Sequence, residues 1–290
     1  MKKFSSKILL FVLCGAVLAC ACSKSDVDSN SGTKGKTVTL SATINDGGTK
    51  ANLVDPNDGT LKVYWSATDQ ITVVNTAVRG SATTFTTSGN SGTSKGAKFT
   101  GSLSSVANGN QLYAYYPTTS NVSLMSGSAN YDVSAQGGTI DYVKSKMVMG
   151  AEANYYDSQS TVFTFSNICA ILKITITMPY SYPGYTLSSL TINSGSGLEN
   201  SFIVVGGSYQ TSMGTGAITA TLSSSVPLSG PSNPNDYTFY VIVPPQSITS
   251  ALTLSAHTED RGDYGASTTT TSYTFEAGKL YTINKELTHK

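Results

Sequence analysis

The chain has 290 residues, 12% of them charged and 39% hydrophobic, and a formal net charge of +1. Its lysines and arginines stand mostly singly, so there is no electrostatic footprint for a polyanion and nucleic-acid binding is set aside. Only two histidines occur, and three of the four cysteines fall within the first 22 residues, which leaves little material for a His/Cys metal site, a cofactor ligand set or an imidazole-based active site.

Residues 1–7 carry Lys2, Lys3 and Lys7, and residues 8–19 form an apolar run well short of the roughly 20 residues that cross a bilayer. This is the layout of a signal peptide, residues 1–19. The run ends in Val17, Leu18, Ala19, Cys20, Ala21 and Cys22, small residues ahead of a cysteine in the manner of a bacterial lipoprotein cleavage site. Cys20, with Val17 at minus three and Ala19 at minus one, is the expected lipidation site; Cys22 is the alternative. Acyl chains, palmitate among them, would hold the protein on a membrane at about 0.8 kcal/mol per buried methylene. Removal of residues 1–19 leaves 15 basic against 17 acidic residues. Residues 20–36 lack apolar periodicity and are expected to form a flexible tether.

Ser and Thr exceed a quarter of the chain, and 17 tyrosines outnumber the nine Phe and one Trp, a vocabulary suited to extracellular β-structure. No window from residue 37 onward shows apolar positions at helical spacing, whereas period-two alternation recurs. Val38, Leu40, Ala42 and Ile44 alternate with Thr and Ser. Further strands are expected over residues 61–65, 71–74, 83–87, 97–103, 111–116 and 130–134, and a strand begins at Thr161. The clearest, residues 168–178, aligns Ile168, Ala170, Leu172, Ile174, Ile176 and Met178 on one face, with Cys169 on the other as a small, half-buried hydrophobe. Strands at 187–193, 201–205, 217–222, 237–243, 252–256, 273–275 and 280–284 complete the chain. This all-β pattern suits two sandwiches, residues 37–157 and 158–290, dividing near Asp157.

The order of landmarks carries a resemblance. Lys50 and Ala51 follow the first strand, then come Tyr64-Trp65-Ser66-Ala67-Thr68-Asp69-Gln70-Ile71, Leu112-Tyr113-Ala114-Tyr115-Tyr116-Pro117, Phe165-Ser166-Asn167-Ile168-Cys169-Ala170, Tyr240-Val241-Ile242-Val243-Pro244-Pro245 and Ala277-Gly278-Lys279-Leu280-Tyr281. Together they resemble the fimbrillin-like family of Bacteroidales surface lipoproteins, the subunits of type V pili. The resemblance implies two tandem transthyretin-like Greek-key sandwiches, an outer-membrane lipoprotein exposed at the cell surface, and no catalysis. It also implies removal of the first strand, with Val38, Leu40, Ala42 and Ile44, after a basic residue. The groove is then filled by a strand from another subunit. Lys50 is the processing candidate, although the best-known stalk subunits are cut after Arg, and a solvated turn lysine explains it equally. The few residues after the strand at 280–284 leave little to donate, which favours an anchor, tip or accessory role.

Other motifs are weaker. Gly92-Thr93-Ser94-Lys95-Gly96 matches the G-x-S-x-G pattern but lies between predicted strands, without the strand-to-helix elbow a hydrolase needs. Asp55-Pro56-Asn57-Asp58-Gly59 reads as a turn, not a calcium loop. Arg261-Gly262-Asp263 is an integrin-type adhesion tripeptide that a β-turn also explains. Tyr155, Tyr156, Tyr180, Tyr182 and Tyr185 permit an alternative function, a carbohydrate-binding surface lipoprotein whose aromatics stack on sugar rings.

Overall fold

Thr, Val, Leu and Ile dominate the alternating segments, and such side chains favour a pleated, half-buried surface. The computed structural model accordingly consists almost wholly of strands. It describes residues 35–45, 64–78, 82–89, 94–178, 186–228, 235–259, 262–270 and 272–290. Cys20, Cys22, Lys50, Arg261, Tyr180, Tyr182, Tyr185, the turn at 55–59 and residues 61–63 lie outside the described residues.

Five strands come first: β1 (Lys36–Ile44), β2 (Gln70–Asn75), β3 (Ala82–Ser88), β4 (Gly96–Leu103) and β5 (Gln111–Tyr116). β6 (Ala129–Asp132) and β7 (Ala135–Gly137) lead into helix α1 (Ile140–Lys146), followed by β8 (Met149–Asn154) and β9 (Val162–Asn167). Strands β1, β4, β3, β2, β5, β8 and β9 pair in that order and β9 returns to β1, so the hydrogen-bond ladder closes around the first core. The helix is absent from the sequence expectation. It forms because Thr139 caps it, its hydroxyl accepting from the Tyr142 N–H at 3.1 Å, while Asp141 and Lys144 pair at 2.8 Å one turn apart.

The second half comprises β10 (Ala170–Met178), β11 (Thr186–Ser194), β12 (Leu198–Val205), β13 (Ser208–Gly216), β14 (Ile218–Pro227), β15 (Asn235–Val243), β16 (Gln246–Ile248), β17 (Leu252–Thr258), β18 (Gly262–Ser267), β19 (Tyr273–Phe275), β20 (Leu280–Glu286) and β21 (Thr288–His289). A three-stranded sheet β15-β10-β20 and a six-stranded sheet β21-β18-β17-β11-β14-β7 enclose the second core.

The three-stranded sheet serves both cores. Ala170, Leu172, Ile174, Ile176 and Met178 of β10 pack into the second, whereas Cys169, Ile171 and Ile242 pack into the first. Residues 168–172 are therefore apolar on both faces. Cys169, expected to be half-buried, is fully buried, and burial pushes its thiol up and out of the reactive range.

The expected division at Asp157 precedes β9, yet β9 completes the first ring. The change of core falls instead at residues 168–171, because the chain must reach back to β1 before crossing. Nor is the division a single cut: β6 pairs with β12 and β7 with β14, so two strands from the first half complete sheets of the second.

Candidate functional site

The strand of functional interest is β1. Its sequence Lys-Thr-Val-Thr-Leu-Ser-Ala-Thr-Ile alternates apolar and hydroxyl side chains, and the pleat turns Val38, Leu40, Ala42 and Ile44 into the first core. β4 pairs antiparallel along the strand from Lys36 opposite Leu103 to Thr43 opposite Gly96. β9 pairs parallel over Ser41 to Ile44, and the Ser41 N–H donates to the Thr161 carbonyl at 2.9 Å and the Asn45 N–H to that of Phe165 at 3.0 Å. β1 is thus the strand that closes the ring between β4 and β9.

An aromatic floor lies beneath it. Leu40 stands opposite Phe99, and Ala42 and Ile44 opposite Phe163 and Phe165. Trp65 meets Phe99 and Phe165 edge-on, with ring centroids 5.0 and 5.2 Å apart. Burial of Val38, Leu40 and Ile44 alone is worth roughly 6 kcal/mol. Emptying the slot without refilling it would therefore consume much of a domain's usual stability.

The start of β1 is clasped. The Lys36 ammonium pairs with the Asp157 carboxylate and lies 5.6 Å from the centre of the Tyr155 ring. The Tyr155 hydroxyl donates to the same carboxylate at 2.8 Å, and the Asp157 N–H donates to Asn108 Oδ1 at 2.6 Å. Hydrogen bonds from Lys36 and then Tyr155 hold the Asp157 carboxyl below its ordinary range. A lowered carboxyl stabilises above its unfolded pKa, about 3.9, and loses that contribution as pH falls through the folded value. Acidification from pH 6 to pH 3 is expected to reduce amide protection at the start of β1, after correction for intrinsic exchange. Asp157→Asn should remove that pH dependence and leave the loosened state at both pH values.

Sequence reasoning missed this clasp, since Lys36 and Asp157 lie 121 residues apart. Of the tyrosines that permit sugar stacking, Tyr155 is buried at 5% exposure and Tyr156 is exposed at 41%. Asp263 was expected in a loop and stands in β18, in register with His257. Its carboxylate lies 2.8 Å from His257 Nδ1 and accepts from Ser255 Oγ at 3.5 Å. The contact with His257 holds this carboxyl below its ordinary range. Ser94 of the G-x-S-x-G match accepts from the Gly96 N–H at 3.1 Å, and its carbonyl accepts from the Trp65 N–H at 2.9 Å, the roles of a turn residue. Among the described residues, no group of three or more His, Cys, Asp or Glu could hold a metal ion, and no helix is long and apolar enough to cross a membrane.

A family model described as fimbrillin-like matches residues 49–290. No curated protein matches the chain. A candidate cell adhesion protein from Bacteroides uniformis is similar in structure at a TM-score of 0.51 and 19% identity, over 87% of this chain and 94% of that one. A second candidate cell adhesion protein, from Bacteroides ovatus, gives a TM-score of 0.51 at 16% identity, over 87% and 92% of the two chains. At these identities the likeness is one of fold.

Proposed function

The chain belongs to the fimbrillin-like family, and on that premise we propose that it is a structural or adhesive subunit of a cell-surface pilus, without catalysis. It is exported as an outer-membrane lipoprotein through Cys20 or Cys22, cut after Lys50, and assembled by exchange of β1 for a strand of another subunit. The observation that carries this reading is the placement of β1. It closes the first ring between β4 and β9, and all four of its apolar side chains enter the core.

Removal of β1 exposes two unpaired strand edges and an apolar slot together, which is a template for strand addition. The family match begins at residue 49, beyond the end of β1, in keeping with β1 as a segment separable from the rest. Mass spectrometry of the N-termini in sheared surface material tests the reading. The expected species in assembled material begins at Ala51, while the membrane-bound precursor begins at acylated Cys20 or Cys22. Assembled material that begins only at Cys20 or Cys22 would overturn the strand exchange. Immunogold labelling along filaments, at their tips or at the cell surface separates stalk, tip and anchor roles.

A further inference from the structure

We propose that the slot of β1 selects its replacing strand by size and polarity, requiring a small residue at the position of Ala42, and that the segment formed by β20 and β21 is not the strand it takes. The proposal rests on the reading of β1 as replaceable. Ala42 is 1% exposed and is the smallest of the four inward residues. It stands between Ala97 on β4 and Phe163 on β9. Phe163 is fully buried, and its ring centroid lies 6.1 Å from that of Phe165, which in turn packs on Trp65. A larger residue at position 42 would have to share its place in the core with the Phe163 ring beside it, whereas the Val38, Leu40 and Ile44 positions already hold large side chains. The slot therefore reads large, large, small, large along alternate residues.

Two segments among the described residues can be compared with this pattern. Leu252, Leu254 and Ala256 of β17 match the first three sizes, but Thr258 falls short of the fourth, and β17 is hydrogen-bonded on one edge to β11 and on the other to β18, so it is not free to leave. The terminal segment, β20 with β21, carries Tyr281, Ile283, Lys285 and Leu287 as one alternating face and Leu280, Thr282, Asn284 and Glu286 as the other. In register with Val38 to Ile44, the first face puts Lys285 at the Ala42 position against Phe163. Shifting by two residues either way, or reversing the strand, still seats Lys279 or Lys285 in the core, and the second face buries Asn284 and Glu286. An ammonium or carboxylate buried there without a partner is strongly disfavoured. The occupant that fits is an extended, uncharged strand with a small residue third among its inward side chains.

The test uses the full chain with a specific protease site placed within residues 51–60 and then cut, so that β1 stays bound but is no longer covalently joined. Labelled peptides are added in sub-denaturing urea and their uptake followed by fluorescence anisotropy. One covers residues 36–45, two more carry Ala42→Ser or Ala42→Phe, and one covers residues 279–289. The 36–45 and Ala42→Ser peptides are expected to exchange in, with Ala42→Phe weaker by about tenfold or more and 279–289 not taken up. Uptake of the Ala42→Phe or 279–289 peptide on a par with 36–45 would overturn the size selection while leaving strand replacement intact. Failure of every peptide, 36–45 included, would overturn the replaceable strand itself and this proposal with it.

Discussion

Gly150→Ala is expected to lower stability by about 3 kcal/mol, read as a fall in Tm of roughly 6–12 °C for a body of this size. A Cβ at Gly150 would sit 2.1 Å from the Gly206 carbonyl oxygen and 3.3 Å from Gly207 Cα, and both contacts are backbone. β8 cannot give way, because Gly150 is in register with Tyr115 of β5 and with Ser166 of β9. The tip of the β12–β13 hairpin must move instead. That movement breaks the bond from the Gly206 N–H to the Tyr115 hydroxyl, 3.0 Å, while Tyr115 goes on donating to the Gly127 carbonyl at 2.5 Å. Gly207→Ala is the control. Its Cβ would lie 3.4 Å from the Gly150 carbonyl oxygen, close enough to need a small adjustment but not displacement, so its effect should be well below that of Gly150→Ala. Hydrogen exchange should show lost protection in β12 and β13 with the first ring retained. An unchanged Tm in Gly150→Ala would mean that the hairpin does not pack on β8.

What the sequence reveals of this fold depends on how local each cause is. β1 is legible because its alternation is complete over residues 38–44, and a period of two fixes which side chains face inward. Its parallel partner β9 lies about 120 residues away and carries no local sign of the pairing. β8, with Gly150, Ala151 and Ala153, and β13, with two glycines and four Ser or Thr residues, offer few large apolar side chains and escape a search for hydrophobic alternation. They are strands because neighbours supply the ladder. β10 shows the converse. Its five aligned apolar residues, Ala170 to Met178, mark the second core plainly, but Cys169 and Ile171 read as a lesser face because alternation presumes one buried side, and this stretch has two. Trp65 falls at the end of an expected strand and, among the described residues, makes a single bridge, to Ser94. Its importance lies in the aromatic floor, which tertiary packing alone assembles. The candidate site divides in the same way: the inward face of β1 is written in its own residues, while the Asp157 clasp and the Phe163 wall come from distant segments.

Gln136→Leu is expected to cost about 3 kcal/mol, and the reason lies in an amide side chain that substitutes for a strand. Gln136, on β7, is 5% exposed. Its Nε2 donates to the Ile242 carbonyl at 2.7 Å and to the Val133 carbonyl at 2.8 Å, while its Oε1 accepts from the Ile242 N–H at 2.9 Å. One side chain thus supplies both halves of a peptide pairing to the outer edge of β15, next to the point where the Tyr240 N–H donates to the Gly138 carbonyl at 3.0 Å. Leucine keeps most of the volume but leaves a buried N–H and C=O of Ile242 unpaired, each costing about 1–3 kcal/mol. Gln136→Glu separates this account from a simple packing loss. A protonated carboxyl can still donate to one carbonyl and accept from the Ile242 N–H, whereas a carboxylate would face two carbonyl oxygens. Its folded pKa should therefore rise above the unfolded value of about 4.3, so its stability is fully present below that pH and lost as pH rises through the folded value. Denaturant unfolding should find Gln136→Glu close to the parent at pH 4 and at least as unstable as Gln136→Leu at pH 8. Equal losses at both pH values would show that volume, not the amide pairing, holds β7 against β15.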